Sequence, residues 1–157
     1  MTISDYHILN RQTCSPQETR RLIKYLKATP VPWVADKIEK GSSLLRGEIR
    51  RRDNLGSLTT IFSELGGIFA KQMHGREKFL VKEVLPALRD PKCTDTSSRL
   101  AVERYMKLDA SNLLEIVITI YCTDTGYFIV DGNKRASACY EERSVVNFAP
   151  ISVYFVS

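Results

Sequence analysis

Asp131-Gly132-Asn133-Lys134-Arg135 places a carboxylate, a glycine, an amide and two cations at five consecutive positions. That set suits a phosphate ligand. Lys134 and Arg135 could neutralise its charge, and a guanidinium can bind two oxygens at once. Gly132 can adopt backbone angles closed to other residues, so a sharp turn fits there, and Asn133 is a candidate N-cap for a helix that follows. Free N–H groups at a helix start would add donors for the same anion. Asp131 could hold Mg²⁺ or position an attacking hydroxyl, as carboxylates do in phosphoryl transfer; capping its own turn is the plainer alternative. Ser137 could contact a phosphate or simply pack as a small helix residue. For the whole motif the competing reading is a tight turn whose basic residues are solvated.

The elements that must position these residues are legible on either side. Glu115 to Tyr121 is rich in β-branched residues and reads as a strand. Cys122 to Gly126 is a polar connection ending in glycine, as a hairpin loop should, and Tyr127 to Val130 is the return strand. A helix is expected from Asn133 to about Glu142. After a connector over 143–150, Ile151 to Val156 supplies a third strand.

A strand ending in Asp-Gly-(His or Asn)-x-Arg, followed at once by a small-residue helix and another strand, resembles the ParB/sulfiredoxin-like superfamily. The matching residues are Val130 to Ala136, closest to the Asp-Gly-His-Thr-Arg-Ala pattern of the free serine kinases, and the resemblance covers about residues 97–157. It implies a small mixed sheet with helices in which Gly132, Asn133, Lys134, Arg135 and Ser137 hold the phosphates of ATP or another nucleoside triphosphate, with Mg²⁺ on Asp131. It also implies a second carboxylate from a helix upstream of the hairpin, for which Glu103 is the candidate ahead of Asp109 and Glu115. Asn133 stands where many members carry His, and an amide can orient a phosphate but cannot exchange a proton near neutral pH. Sulfiredoxin's reactive cysteine belongs in this turn, and here the turn has none. Fic-type AMP transferases share the same five residues. In them a His-Pro-Phe triplet precedes the motif and the segment joins two helices; here Tyr127, Phe128 and Ile129 occupy the triplet's positions.

Composition bounds the rest. The 157 residues suit one core without staples, and a 43% hydrophobic fraction with 26% charged residues is that of an ordinary globule. No run is long and apolar enough for a membrane span, and Met-Thr-Ile-Ser-Asp lacks the features of a secretory signal, so no membrane association is expected. Cys14, Cys93, Cys122 and Cys139 are scattered without zinc-site spacing, and free thiols suit a cytoplasmic location. The net charge of +5 sits in residues 1–60, with 11 Lys/Arg against 6 Asp/Glu. Arg46, Arg50, Arg51 and Arg52 form its densest cluster, which could grip nucleic-acid phosphates or form part of a solvated face.

Residues 1–90 read as a mainly helical region. An amphipathic stretch follows Ser15-Pro16 and is ended by Pro30 and Pro32, short helices are expected over 33–49, and longer ones over 58–73 and 76–88. The polar run from Asp90 to Ser98 is the expected boundary before a nucleotide-binding core at 97–157, in which a helix over 99–108 precedes the hairpin. The expected class is α+β. The expected function is a nucleotide-dependent phosphotransferase or nucleotide hydrolase of kinase-like type, with a small-molecule or protein acceptor. The alternatives are a nucleotide-gated or catalytically silent DNA- or protein-binding module, in the setting of a phage-defence or toxin system, and a degenerate Fic-type AMP transferase.

Overall fold

The computed structural model describes residues 8–29, 31–60, 79–83, 100, 104, 117–123, 126–142 and 151–157. In chain order the elements are β1 (Leu9–Thr13), α1 (Pro16–Lys27), α2 (Pro32–Glu39), β2 (Leu44–Ile49), α3 (Arg52–Gly56), β3 (Thr59–Thr60), β4 (Phe79–Leu80), β5 (Val117–Thr123), β6 (Gly126–Asp131), α4 (Asn133–Glu142) and β7 (Ile151–Val156). The class is α+β. The strands form one mixed sheet in the order β1-β2-β7-β5-β6-β3-β4. β7 runs antiparallel to β2 and parallel to β5, and β6 is antiparallel to β5 and parallel to β3.

Alternation along the strands feeds two cores. Ile118 and Ile120 of β5, Ile129 of β6 and Ile151, Val153 and Phe155 of β7 share one face of the sheet, with Leu55 of α3 and Ala136 and Cys139 of α4 packed on them. On the opposite face Leu44, Phe128, Val130 and Val156 lie under Leu22 and Leu26 of α1 and Val34, Ala35 and Ile38 of α2. Helices therefore cover both faces.

The helix starts are written locally. Ser15 Oγ accepts the Glu18 N–H at 3.1 Å, Pro16 takes the first turn, and Lys24 and Lys27 lie towards the negative end of the α1 dipole. Leu22 and Leu26, four apart, form its buried stripe. α1 ends at Lys27, five residues before Pro32, and Pro32 opens α2 instead of ending α1.

Several expectations change. The reading of 33–49 as short helices holds only to Glu39, since Leu44–Ile49 is the strand β2 between β1 and β7. Its apolar residues serve both cores, Leu44 on one face and Leu45 and Ile49 on the other, so it lacks simple alternation. Within the expected helices over 58–73 and 76–88, Thr59–Thr60 and Phe79–Leu80 instead pair as β3 and β4. Residues 9–60, expected to be mainly helical, thus contribute three strands to the sheet that β5, β6 and β7 complete. The proposed boundary at 90–98 and most of the helix expected over 99–108 lie outside the described residues. At the other end the reading is close: α4 and β7 have the expected bounds, and β5 and β6 form the expected hairpin.

Candidate functional site

The centre of the site is a polar row across the sheet, on the face that α1 covers. Strand register makes Gln12 the partner of Arg46, Arg46 of Tyr154, Tyr154 of Thr119, and Thr119 of Asp131. Adjacent strands stand about 4.8 Å apart, so the row from Arg46 to Asp131 spans roughly 14 Å.

Asp131 belongs to this row because of a β-bulge. The pairing steps from Ile120↔Ile129 to Thr119↔Asp131, leaving Val130 as an extra residue on β6. Strict alternation would turn Asp131 towards the α4 face, with Ile129. The bulge sends it to the α1 face instead.

Helix α1 lies across the row as a wall. Glu18, Arg21 and Tyr25 recur at three- and seven-residue offsets, so they occupy one helix face beside the buried Leu22. Glu18 Oε2 accepts from Arg46 Nη1 at 3.0 Å at one end of the row, and Tyr25 Oη lies 3.4 Å from Arg135 Nη2 at the other. Between wall and floor is a cleft of about 430 Å³ lined by Glu18, Arg21, Tyr25, Arg46, Thr119, Asp131, Arg135 and Tyr154, with Leu22 and Val117 as its apolar members. Glu18 and Asp131 are its acids and Arg21, Arg46 and Arg135 its cations. Arg21 makes no ion pair among the described residues.

The turn that delivers Asp131 and Arg135 is built on Gly132, whose φ is +91°. The Gly132 carbonyl accepts the Ala136 N–H at 2.8 Å, so Gly132 caps α4 and Asn133 is its first residue; the cap stands one position earlier than Asn133, where the sequence reading put it. Arg135 folds back over the turn, and its Nη2 donates to Asp131 Oδ2 at 2.9 Å with both side chains under one-fifth exposed. A Cβ at position 132 would stand 3.3 Å from that same Nη2. Burial, then the Asp131 charge, push the Tyr25 hydroxyl above its ordinary range. Burial followed by the Glu18 charge does the same to Tyr154.

The remaining candidates divide. Asn133 is 9% exposed, and its Oδ1 has no hydrogen-bond partner among the described residues, an open acceptor at the helix start. Ser137 is fully buried and donates to the Asn133 carbonyl at 2.9 Å, the packing role rather than a solvent-facing one. Lys134 lies in α4, its side chain outside the described residues, as are Glu103, Asp109 and Glu115. The arginine cluster disperses. Arg46 enters the cleft and Arg50 pairs with Glu48, while Arg52 stacks 3.8 Å from the Tyr140 ring centroid and donates to the Tyr140 carbonyl. Among the described residues no three His, Cys, Asp or Glu side chains gather as a metal cage, and no helix is long and apolar enough to cross a membrane.

Sequence reasoning missed Glu18, Arg21, Tyr25, Thr119 and Tyr154, and placed Arg46 in a different role. For α1 a signal existed, because Glu18, Arg21 and Tyr25 flank the apolar stripe at helical spacing. The residues shared with Fic transferases follow a strand here, β6, rather than a helix. Compared with known proteins, the chain matches no family model, and no curated protein or solved structure is significantly similar to it.

Proposed function

We propose that the cleft binds the phosphates of a nucleoside triphosphate and that the protein is a nucleotide-dependent phosphotransferase or nucleotide hydrolase. The observation that carries this reading is the Asp131–Arg135 pair at 2.9 Å inside a cleft to which Arg21 and Arg46 add two more guanidinium groups. The cations exceed the acids there by one, three against two, which favours an anion. The resemblance of Val130 to Ala136 to the ParB/sulfiredoxin-like turn points to the same ligand, and the strand–glycine turn–helix arrangement of β6 and α4 agrees with that superfamily's pattern.

In this reading a phosphate group takes guanidinium donors from Arg135 and Arg21. As Arg135 turns to the phosphate, the Asp131 carboxylate is released from its partner. It then accepts the proton of a hydroxyl, from water or from an acceptor, while that oxygen bonds to the terminal phosphorus. The bond from phosphorus to the nucleoside diphosphate breaks, and the diphosphate leaves with its electron pair. Arg46, held by Glu18 at the far end of the row, receives charge there.

The donor set fits Mg²⁺ only as a companion of the nucleotide, since one carboxylate of the row, Asp131, is available beside phosphate oxygens and Glu18 is committed to Arg46. Bound in that way it would neutralise phosphate charge.

Titration with ATP, ADP and CTP in the presence of Mg²⁺ tests the reading. Saturable binding that is lost in Arg135→Ala, with turnover abolished but binding kept in Asp131→Asn, is the expected result. Binding without turnover in the unaltered protein would favour a nucleotide-gated module. No binding to any of the three would reject the cleft as a nucleotide site.

A further inference from the structure

The cleft as described accounts for phosphates and leaves the remainder of a ligand unaddressed. Two aromatic residues, Tyr25 and Trp33, belong to neither core. Tyr25 is 48% exposed and Trp33 is 41% exposed, two of the three large hydrophobic side chains left in solvent among the described residues. Tyr25 lines the Asp131–Arg135 end of the cleft. Trp33 stands in the first turn of α2, a few residues after α1 ends. Its ring centre lies 5.1 Å from that of Tyr121 at an interplanar angle of 88°. Tyr121 sits two residues along β5 from Thr119, on the same face, which puts it about 7 Å from the polar row.

An edge-to-face pair engages at most one face of the indole. The other face of Trp33 is therefore not used by Tyr121, in keeping with its exposure. Leaving an indole in water is unfavourable, and a flat apolar partner removes that penalty. Every nucleobase offers a π-face of that kind.

We propose that Trp33, with Tyr121 behind it and Tyr25 at the cleft mouth, is a stacking site for the base of the bound nucleotide. The inference rests on the reading of the cleft as a phosphate site and narrows it: the ligand is a nucleotide, and neither an inorganic polyphosphate nor a phosphorylated small molecule binds as well. Stacking tolerates any base, so discrimination between ATP and CTP is modest.

Trp33 is the chain's single tryptophan, so its emission reports on this site alone. The experiment is parallel titration with Mg²⁺-ATP and Mg²⁺-tripolyphosphate, followed both by calorimetry and by Trp33 fluorescence excited at the red edge of its absorption. Both probes are expected to bind, ATP about tenfold more tightly, and only ATP to change the emission. Trp33→Ala is expected to weaken ATP by about tenfold and leave tripolyphosphate unchanged, whereas Trp33→Phe keeps most of the ATP affinity. Circular dichroism of both variants checks the fold. Equal affinities for ATP and tripolyphosphate, with no emission change for either, overturn the stacking site and leave the phosphate cleft standing. Binding of neither probe rejects the cleft and the stacking site together.

Discussion

Replacing Gly132 with alanine probes the turn on which the site depends, and its cost can be worked out in two parts. The first is backbone strain: Gly132 has φ +91°, and holding a side chain there costs on the order of 1–3 kcal/mol. The second is steric. The new Cβ would stand 3.3 Å from Arg135 Nη2 and 3.4 Å from Nε, so the guanidinium must withdraw by a few tenths of an ångström from Asp131. With side-chain exposures of 19% and 16%, that pair lies between a surface pair worth about 0–1 kcal/mol and a buried one costing about 3–5 kcal/mol to break. Loosening it is taken as about 1 kcal/mol. The sum, about 2–4 kcal/mol, is large enough to read from urea unfolding midpoints. The diagnostic comparison uses an Arg135→Ala background, where only the backbone part remains. There Gly132→Ala should cost about 1 kcal/mol less than in the unaltered protein. Equal costs in the two backgrounds would refute the argument that Gly132 is there to let Arg135 fold over the turn. So would a cost under about 0.5 kcal/mol in the unaltered protein.

Three further outcomes are expected. Ser15→Ala removes the acceptor for the Glu18 N–H and should lower stability by about 1 kcal/mol in the same unfolding assay; because Glu18 faces the cleft, the loss should be accompanied by weaker ligand binding. Gly47→Ala places a Cβ 2.5 Å from Ile8 Cγ2 and 3.1 Å from the Leu9 carbonyl, so β1 must shift, at a cost of about 1–3 kcal/mol; an unchanged thermal midpoint would contradict that packing. Burial, then a hydrogen bond and charge from Glu18, push the Cys14 thiol from 9.0 to about 12. The folded protein thus holds this proton more tightly than the unfolded chain. The associated stability is full below pH 9 and declines as pH rises towards 12, and Cys14→Ala should flatten that decline in denaturation midpoints measured across the window.

How far the sequence discloses this architecture depends on the range of the signal. The Asp131–Arg135 turn, α4 and β7 carry their instructions locally, in a glycine, a run of small helix residues and a β-branched segment, and the expected bounds of α4 and β7 match the structure. β2 did not disclose itself, because Leu44 and Leu45 face different cores and Arg46 and Glu48 interrupt the apolar pattern. The Val130 bulge leaves no mark in composition, yet it decides which face receives Asp131. The polar row is harder still. Arg46, Tyr154, Thr119 and Asp131 become neighbours only through the register of four strands, a long-range property with no counterpart in spacing along the chain.

The position of β7 bears on how the protein reaches this state. Last of the described strands in sequence, it lies between β2 and β5, and Ser43 and Ser157 exchange backbone hydrogen bonds at its end. Before it docks, the β1–β2 ladder and the β5–β6 hairpin are separate, each with an unpaired edge open to wrong partners. Its arrival joins residues about a hundred positions apart, an entropically costly closure that slows folding. Tyr154 enters the polar row in the same event. Because the cleft needs strands from both halves of the sheet, ligand binding during refolding should appear together with the final burial of β7 and not ahead of it.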